Sequence, residues 1–387
     1  MQFEFATATR ILFGEGAVRE VAPAAKQLGR RALLVTGWAP ERGDRLLADL
    51  NAAGVRCSAF STDGEPTVDL VRRGVENARE EQCEVVIAFG GGSAIDAGKA
   101  IAALLTNPGE LMDYLEVVGG GKSLQIPAAP LLTVPTTAGT GSEVTRNAVL
   151  GVPERRVKVS VRSPLMLPRL AVVDPELTLG LPPAVTARTG LDALTQLIEA
   201  YVSIRANPLT DGFCVEGIRC AARSLRRAFH EGHDLEARRD MSLAALLSGL
   251  ALANAGLGVV HGFAGPLGGR FPAPHGAICA AILPHGMEIN LRALRARAPQ
   301  SQALRRYGEV ARILTGRADA PAEEGIAWAR ETCRELEIPP LSAYGMSEQD
   351  VPALITEAAK ASSMKGNPLV LRPEELREVL LRSLAGS

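Results

Sequence analysis

Aromatic side chains are scarce in this chain. Phe, Trp and Tyr make up 4% of its 387 residues, although 47% are hydrophobic. Its core must therefore be built from Ala, Leu, Val and Ile, which suits layered helices and strands better than a small aromatic-rich barrel. Net charge is nearly absent as well, at -1. Such a balance leaves no electrostatic footprint for nucleic acid or an anionic membrane. Arginines are interleaved with acids, as in "EEGIAWARETCRELE", the pattern of solvated helix faces. No CxxC pair occurs. Cys57, Cys83, Cys214, Cys220, Cys279 and Cys333 read as buried or idle thiols in a reducing compartment, not as a disulfide scaffold. No apolar run reaches membrane-spanning length, since "PAAPLLTVP" is short and bounded by prolines. The opening "MQFEFATATRILFGEGA" lacks a basic stretch followed by an apolar one, so no signal peptide is expected. A soluble cytoplasmic protein is the expectation, with no nucleic-acid or membrane partner.

The length predicts two domains. In residues 1–180, strand and helix signals alternate: "RALLVTG", "RGDRLLADLNAAG", "VRCSAF", "TVDLVRRGVENAREEQC", "EVVIAFGGG", "AIDAGKAIAALLT", "PLLTVPTT" and "RLAVVDPELT". Strands separated by helices of this length imply right-handed crossovers and a mainly parallel sheet covered on both faces. Beyond "TLGLPP" the pattern changes. Residues 181–387 carry long helical periodicities, among them "AVTARTGLDALTQLIEAYVS" and "LEARRDMSLAALLSGLALANAG", and strand-like runs disappear. An α/β domain followed by an all-α domain is predicted, with no repeat of fixed period and no low-complexity linker.

Two loops point to a nucleotide. In "AFGGGSAIDAGKA" a strand ends at Phe89, three glycines follow, and a helix is expected to start at Ser93 or Ala94. Glycines let a backbone approach a phosphate, and the free N–H groups of a new helix face that anion. Ser93 reads as an N-cap or a phosphate donor. The run is not GxGxxG, so the standard Rossmann fingerprint does not apply. "TVPTTAGTGSEVT", residues 133 to 145, also follows an apolar strand and is dense in Gly and hydroxyls. Loops of this kind at the carboxyl ends of parallel strands suit an extended ligand such as a dinucleotide.

A third constellation lies in the helical half. Asp192 and Gln196 sit four residues apart in "GLDALTQLIEAY", on one helix face. His261, His275 and His285 fall within "VVHGFAGPLGGRFPAPHGAICAAILPHG", whose glycines and prolines bend it back on itself. A carboxylate with imidazoles suits a divalent first-row metal such as Fe, Zn or Mn. From spacing alone a second reading stands beside it, a helix-start acid with satisfied core histidines. His285, after Pro284, reads as structural; His230 and His233 lie in the charged "FHEGHDLE".

Taken together, "GGGSAIDAGKA", "VPTTAGTGSEVT", "GLDALTQLIEAY", "GVVHGFAGPLGG", "PHGAICAAILPHGMEIN" and "SMKGNP" resemble the iron-containing (group III) alcohol dehydrogenases along almost the whole chain. The resemblance implies a dehydroquinate synthase-like fold: a dinucleotide-binding domain, an all-α domain that holds metal and substrate, and assembly as a homodimer. It assigns Gly91, Gly92, Ser93 and Asp96 to the pyrophosphate loop. Thr136, Thr137 and Gly141 match the second cofactor loop, and Asn147 and Lys158 match polar positions near the nicotinamide ribose. Asp192, His261 and His275 match three of four metal ligands, the two histidines being also the catalytic candidates. The implied activity interconverts a small alcohol and an aldehyde or ketone with NAD or NADP, a divalent metal, iron or zinc, polarising the carbonyl.

This sequence departs from that pattern at three places. Gln196 stands where the family has its fourth ligand, a histidine, and is expected to serve as a weak fourth ligand, since an amide oxygen binds less well than imidazole. Gly265 replaces a histidine tied to proton transfer, which leaves a water as the substitute. Gly37 replaces an acid that holds ribose hydroxyls in NAD-using members. No acid there repels a 2′-phosphate, and Arg42 or Arg45 is placed to pair with one. Arg270 is a candidate for meeting an anionic substrate group. Three rival readings follow: a metal-free reductase of the maleylacetate reductase type, a lyase on the dehydroquinate synthase fold, and a nucleotide sensor with a decayed site.

Overall fold

The computed structural model describes residues 2–62, 64–155 and 157–386. The chain forms two compact units. One comprises residues 6–137 and 141–178, the other residues 1–5, 138–140 and 179–387. Residues 2–5, 138–140 and 179–180, placed by sequence in the α/β part, group with the helical unit.

The α/β unit holds β1 (Ile11–Phe13), α1 (Val21–Leu28), β2 (Arg31–Thr36), α2 (Asp44–Ala52), β3 (Arg56–Ser61), α3 (Val68–Glu80), β4 (Val85–Gly90), α4 (Gly92–Thr106), α5 (Leu111–Tyr114), β5 (Leu131–Pro135), β6 (Asn147–Val152), β7 (Val157–Arg162) and β8 (Leu170–Val173). Six strands pair in the order β1-β8-β5-β4-β2-β3, every pair parallel. The expected strands all lie in this sheet. The short β1 and the antiparallel β6–β7 hairpin were not anticipated; β1 is too brief, and β6 too interrupted by Gly151, to show a clear period.

Alternation explains how the sheet is covered. Ala32 and Leu34 of β2 face one core with Ile87, Phe89 and helices α1 and α2. Leu33 and Val35 face the other with Val86, Ala88 and helices α3 and α4. Burial on both sides is why these strands read as continuous apolar runs. Each buried Leu or Ile contributes about 1.5–3 kcal/mol. Helix α4 packs against β4 at Gly98, where an added Cβ would lie 2.7 Å from the Ala88 Cβ.

The second unit holds α6 (Pro183–Val202), α7 (Pro208–His230), α8 (Leu235–Ala255), α9 (Val259–Arg270), α10 (His275–Arg297), α11 (Gln302–Thr315), α12 (Ala322–Glu335), α13 (Val351–Ala358) and α14 (Pro373–Ala385). Local signals set their starts. Asn207 accepts from the Leu209 and Thr210 amides ahead of α7, and Asp234 accepts from Ala237 N ahead of α8. Helices α9, α10, α13 and α14 share one core around Phe263, Ile278, Leu354 and Val379. No single helix among the described residues is long and apolar enough to cross a membrane.

Candidate metal centre and cofactor loops

The two sites are built in different units. In the α/β unit, strand order places the first. From β2 the chain moves to β3 on one side, then crosses back to β4 on the other. The crevice at the carboxyl ends of β2 and β4 is therefore the topological switch point, where open α/β sheets bind ligands. Gly37 follows β2 there, and Gly91 and Gly92 follow β4. Helix α4 opens at Gly92 with Gly91 as its N-cap. Ser93 is thus inside the first turn rather than capping it, and the leading amides of α4 have no side-chain cap. Thr136 and Thr137 follow β5, and a Cβ on Gly91 would sit 3.4 Å from Thr137 Oγ1, so the two loops adjoin. Gly141 has φ of 61°, a left-handed conformation that favours glycine.

Asp96 fastens these loops together. Its Oδ1 accepts from Ser142 Oγ at 2.5 Å and its Oδ2 from Val149 N at 2.9 Å. Beneath it lies Lys99, fully buried, which donates to Ser142 Oγ, Thr145 Oγ1 and Asn147 O. Burial pushes the Lys99 ammonium down to about 8, with Asp96 and Glu143 opposing. Sequence reading missed Lys99; only its place in "IDAGKA", one turn after Asp96, signals it. Asn147 begins β6, and Lys158 on β7 pairs with Glu65 at 2.5 Å. Gly37 is open, with no atom within 4 Å of an added Cβ. Arg42 donates to Leu177 O at 2.5 Å, and Arg45 is exposed.

The helical unit assembles the other site. Asp192 and Gln196 lie on α6, His261 on α9, and His275 opens α10. Asp192 Oδ1 is 3.3 Å from His261 Nε2 and 3.7 Å from His275 Nε2. That oxygen is buried yet receives no hydrogen bond from the described residues. An orphaned carboxylate oxygen facing two imidazole nitrogens is the arrangement a divalent cation completes. Cys279, one turn along α10 from His275, brings its sulfur into the same cluster, 3.6 Å from His261 Nε2 and 3.7 Å from His275 Nε2. Cys279 is buried, as expected of these thiols, but its place beside two imidazoles was not anticipated. Helical spacing from His275 was the available signal.

Glu199, two turns beyond Asp192, was also missed. Its Oε2 lies 2.7 Å from His261 Nδ1 and its Oε1 accepts from Val260 N. A carboxylate only accepts, so Nδ1 carries a proton and Nε2 is turned to the cluster. Asn367 of "SMKGNP" accepts from Val259 N and exchanges amide bonds with Asn290, fixing the start of α9. Burial opposes charge on His261 and His275, but Cys279 and Asp192 outweigh it. His261 is pushed well above the usual histidine range, and His275 to about 9. Gln196 Oε1 accepts from Ser248 Oγ at 2.8 Å. Beside Gly265 an added Cβ would meet nothing within 4 Å. Arg270 is engaged with Glu357 through two hydrogen bonds, which removes it as a free anion receptor. His285 is buried and apart from the cluster, while His230 and His233 are exposed.

Comparison with known proteins matches the order of these elements. Residues 8–175 fit the model of the iron-containing alcohol dehydrogenases, and residues 186–384 fit that of the C-terminal region of the same family. The chain belongs to the iron-containing alcohol dehydrogenase family. It is a nicotinamide-dependent oxidoreductase that interconverts an alcohol and an aldehyde. Among its relatives in this family, a choline dehydrogenase of Bacillus subtilis is 37% identical, covering 94% of this chain and 90% of that one. A 1,3-propanediol dehydrogenase of Klebsiella pneumoniae is 36% identical, covering 97% of both chains. The crystal structure of a 1,3-propanediol oxidoreductase superposes with a TM-score of 0.92 at 35% identity, covering 99% of this chain and 100% of that one.

Proposed function

We propose that the protein interconverts a small alcohol and its aldehyde or ketone, with Asp192, His261 and His275 holding the divalent metal and the loops at 91–93 and 136–141 holding NAD or NADP. The orphaned Asp192 Oδ1 between two imidazoles supports this reading most directly. When bound, the metal supplies a Lewis acid for the carbonyl oxygen and the nicotinamide supplies or accepts the hydride. The chain does the rest. Uncapped amides of α4, at Gly92 and Ser93, receive the pyrophosphate. Asp96 and Lys99 keep the second loop, with Thr136, Thr137 and Gly141, against the first. Asn147 and Lys158 serve the nicotinamide ribose. Glu199 holds the His261 proton on Nδ1, so that Nε2 stays turned inward. Gly265 leaves room for a water to relay the alcohol proton in place of a side chain. With Gly37 open and no acid at that strand end, NADP is accepted alongside NAD. A metal-free reductase of the maleylacetate reductase type leaves the buried Asp192 oxygen unexplained.

The test is elemental analysis of the purified protein, with turnover of an aldehyde panel measured before and after chelation. Asp192→Ala is expected to lose bound metal and activity together, activity falling by more than the about 10²–10³-fold that loss of one electrostatic stabiliser costs. Full turnover by the metal-free protein sinks the reading.

A further inference from the structure

We propose that the Cys279 thiolate, rather than the Gln196 amide, is the fourth protein ligand of this metal, and that it biases the site toward zinc over iron. The inference rests on reading the cluster as a metal centre and concerns only its fourth donor. The first support is metric. Zinc bonds of about 2.3 Å to sulfur and about 2.0–2.1 Å to nitrogen or oxygen, arranged tetrahedrally, separate S from N by about 3.5 Å and O from N by about 3.3 Å. The sulfur stands 3.6 and 3.7 Å from the two Nε2 atoms, and Asp192 Oδ1 stands 3.3 and 3.7 Å from them. All four ligand atoms lie within 4.8 Å of one another. A disulfide is not the reason for this thiol, since all six cysteines are free.

The second support is what Gln196 does instead. Its only ligating atom is Oε1, and that oxygen lies 2.8 Å from the fully buried Ser248 Oγ, whose single proton is shared with Ala245 O at 2.8 Å; an oxygen with one lone pair so engaged is a poorer donor to a metal. Softness is the third. A soft thiolate favours zinc and disfavours iron relative to an all-imidazole and carboxylate set.

Cobalt(II) reports the ligand directly. The apo protein reconstituted with cobalt is expected to show the intense near-ultraviolet sulfur-to-cobalt charge-transfer band. Cys279→Ser should lose that band, and Gln196→Ala should keep it. In anaerobic competition between zinc and iron(II), Cys279→Asn should move the loading ratio toward iron by about tenfold or more. Stoichiometric cobalt without the band overturns the cysteine ligand while leaving the metal centre standing. Failure to bind cobalt at all overturns both. The wild-type spectrum decides the point even if a cysteine variant folds poorly.

Discussion

At the scale of the residue, His285 shows how a histidine inside this helical unit differs from its neighbours in the cluster. It is buried on α10, and neither ring nitrogen has a hydrogen-bond partner among the described residues. Burial, and then Arg330 of α12 and Arg382 of α14, push it down from 6.5 to about 4, with Glu288 of its own helix opposing. A folded value below the unfolded one means that its contribution to stability is complete above about pH 6.5. That contribution is lost as pH falls toward 4. His285→Leu has no such proton to take up. Thermal unfolding of both proteins from pH 7 to pH 4 should show the wild type losing the more stability, and parallel curves would refute the assignment. Three histidines that look alike in "HGFAG", "PHGAI" and "LPHGM" are thus separated by what surrounds them: carboxylates for two, guanidinium groups for the third.

At the scale of the element, the metal centre depends on how closely α10 approaches α6. Gly276 makes the approach possible. An added Cβ would lie 2.2 Å from the Arg188 carbonyl oxygen and 3.3 Å from the Asp192 Cβ. The obstacle is backbone, so the helices themselves would have to part. Gly276→Ala should therefore lower stability by about 1–3 kcal/mol, an overpacking cost that exceeds the helix propensity gained. It should also weaken metal binding by about tenfold or more, because His275 and Cys279 ride on α10. Calorimetric titration with zinc and a thermal melt check both. Unchanged affinity would show that the ligands tolerate the displacement.

At the scale of the whole molecule stand two proposals, on cofactor choice and on assembly. Gly37 follows β2, and an added Cβ there meets no described atom within 4 Å, so Gly37→Asp has room at its branch point. The new carboxylate should repel a 2′-phosphate and raise the preference for NAD over NADP, in kcat/KM, by about tenfold, equivalent to about 1.4 kcal/mol. An unchanged ratio would move the 2′-phosphate elsewhere. The assembly proposed is a homodimer, and sedimentation equilibrium should return twice the chain mass; a monomer would overturn it.

What the sequence determined by itself was whatever repeats locally. Alternating apolar runs and helical periods gave the parallel sheet, its coverings and the helical second half, because strand and helix pack with fixed periods. Motif order named the family, and Asp192, His261 and His275 were legible as candidate ligands. Only the tertiary structure decided the rest. Cys279 was read only as one of six buried or idle thiols, and Glu199 passed unremarked, because their neighbours are a matter of which helix faces which. The short β1 and the β6–β7 hairpin lacked a period long enough to read. Gln196 could be seen to break the ligand pattern. That its oxygen is held by Ser248, while a sulfur from another helix faces the same histidines, depends on contacts between residues 52 and 18 positions apart, which no local pattern encodes.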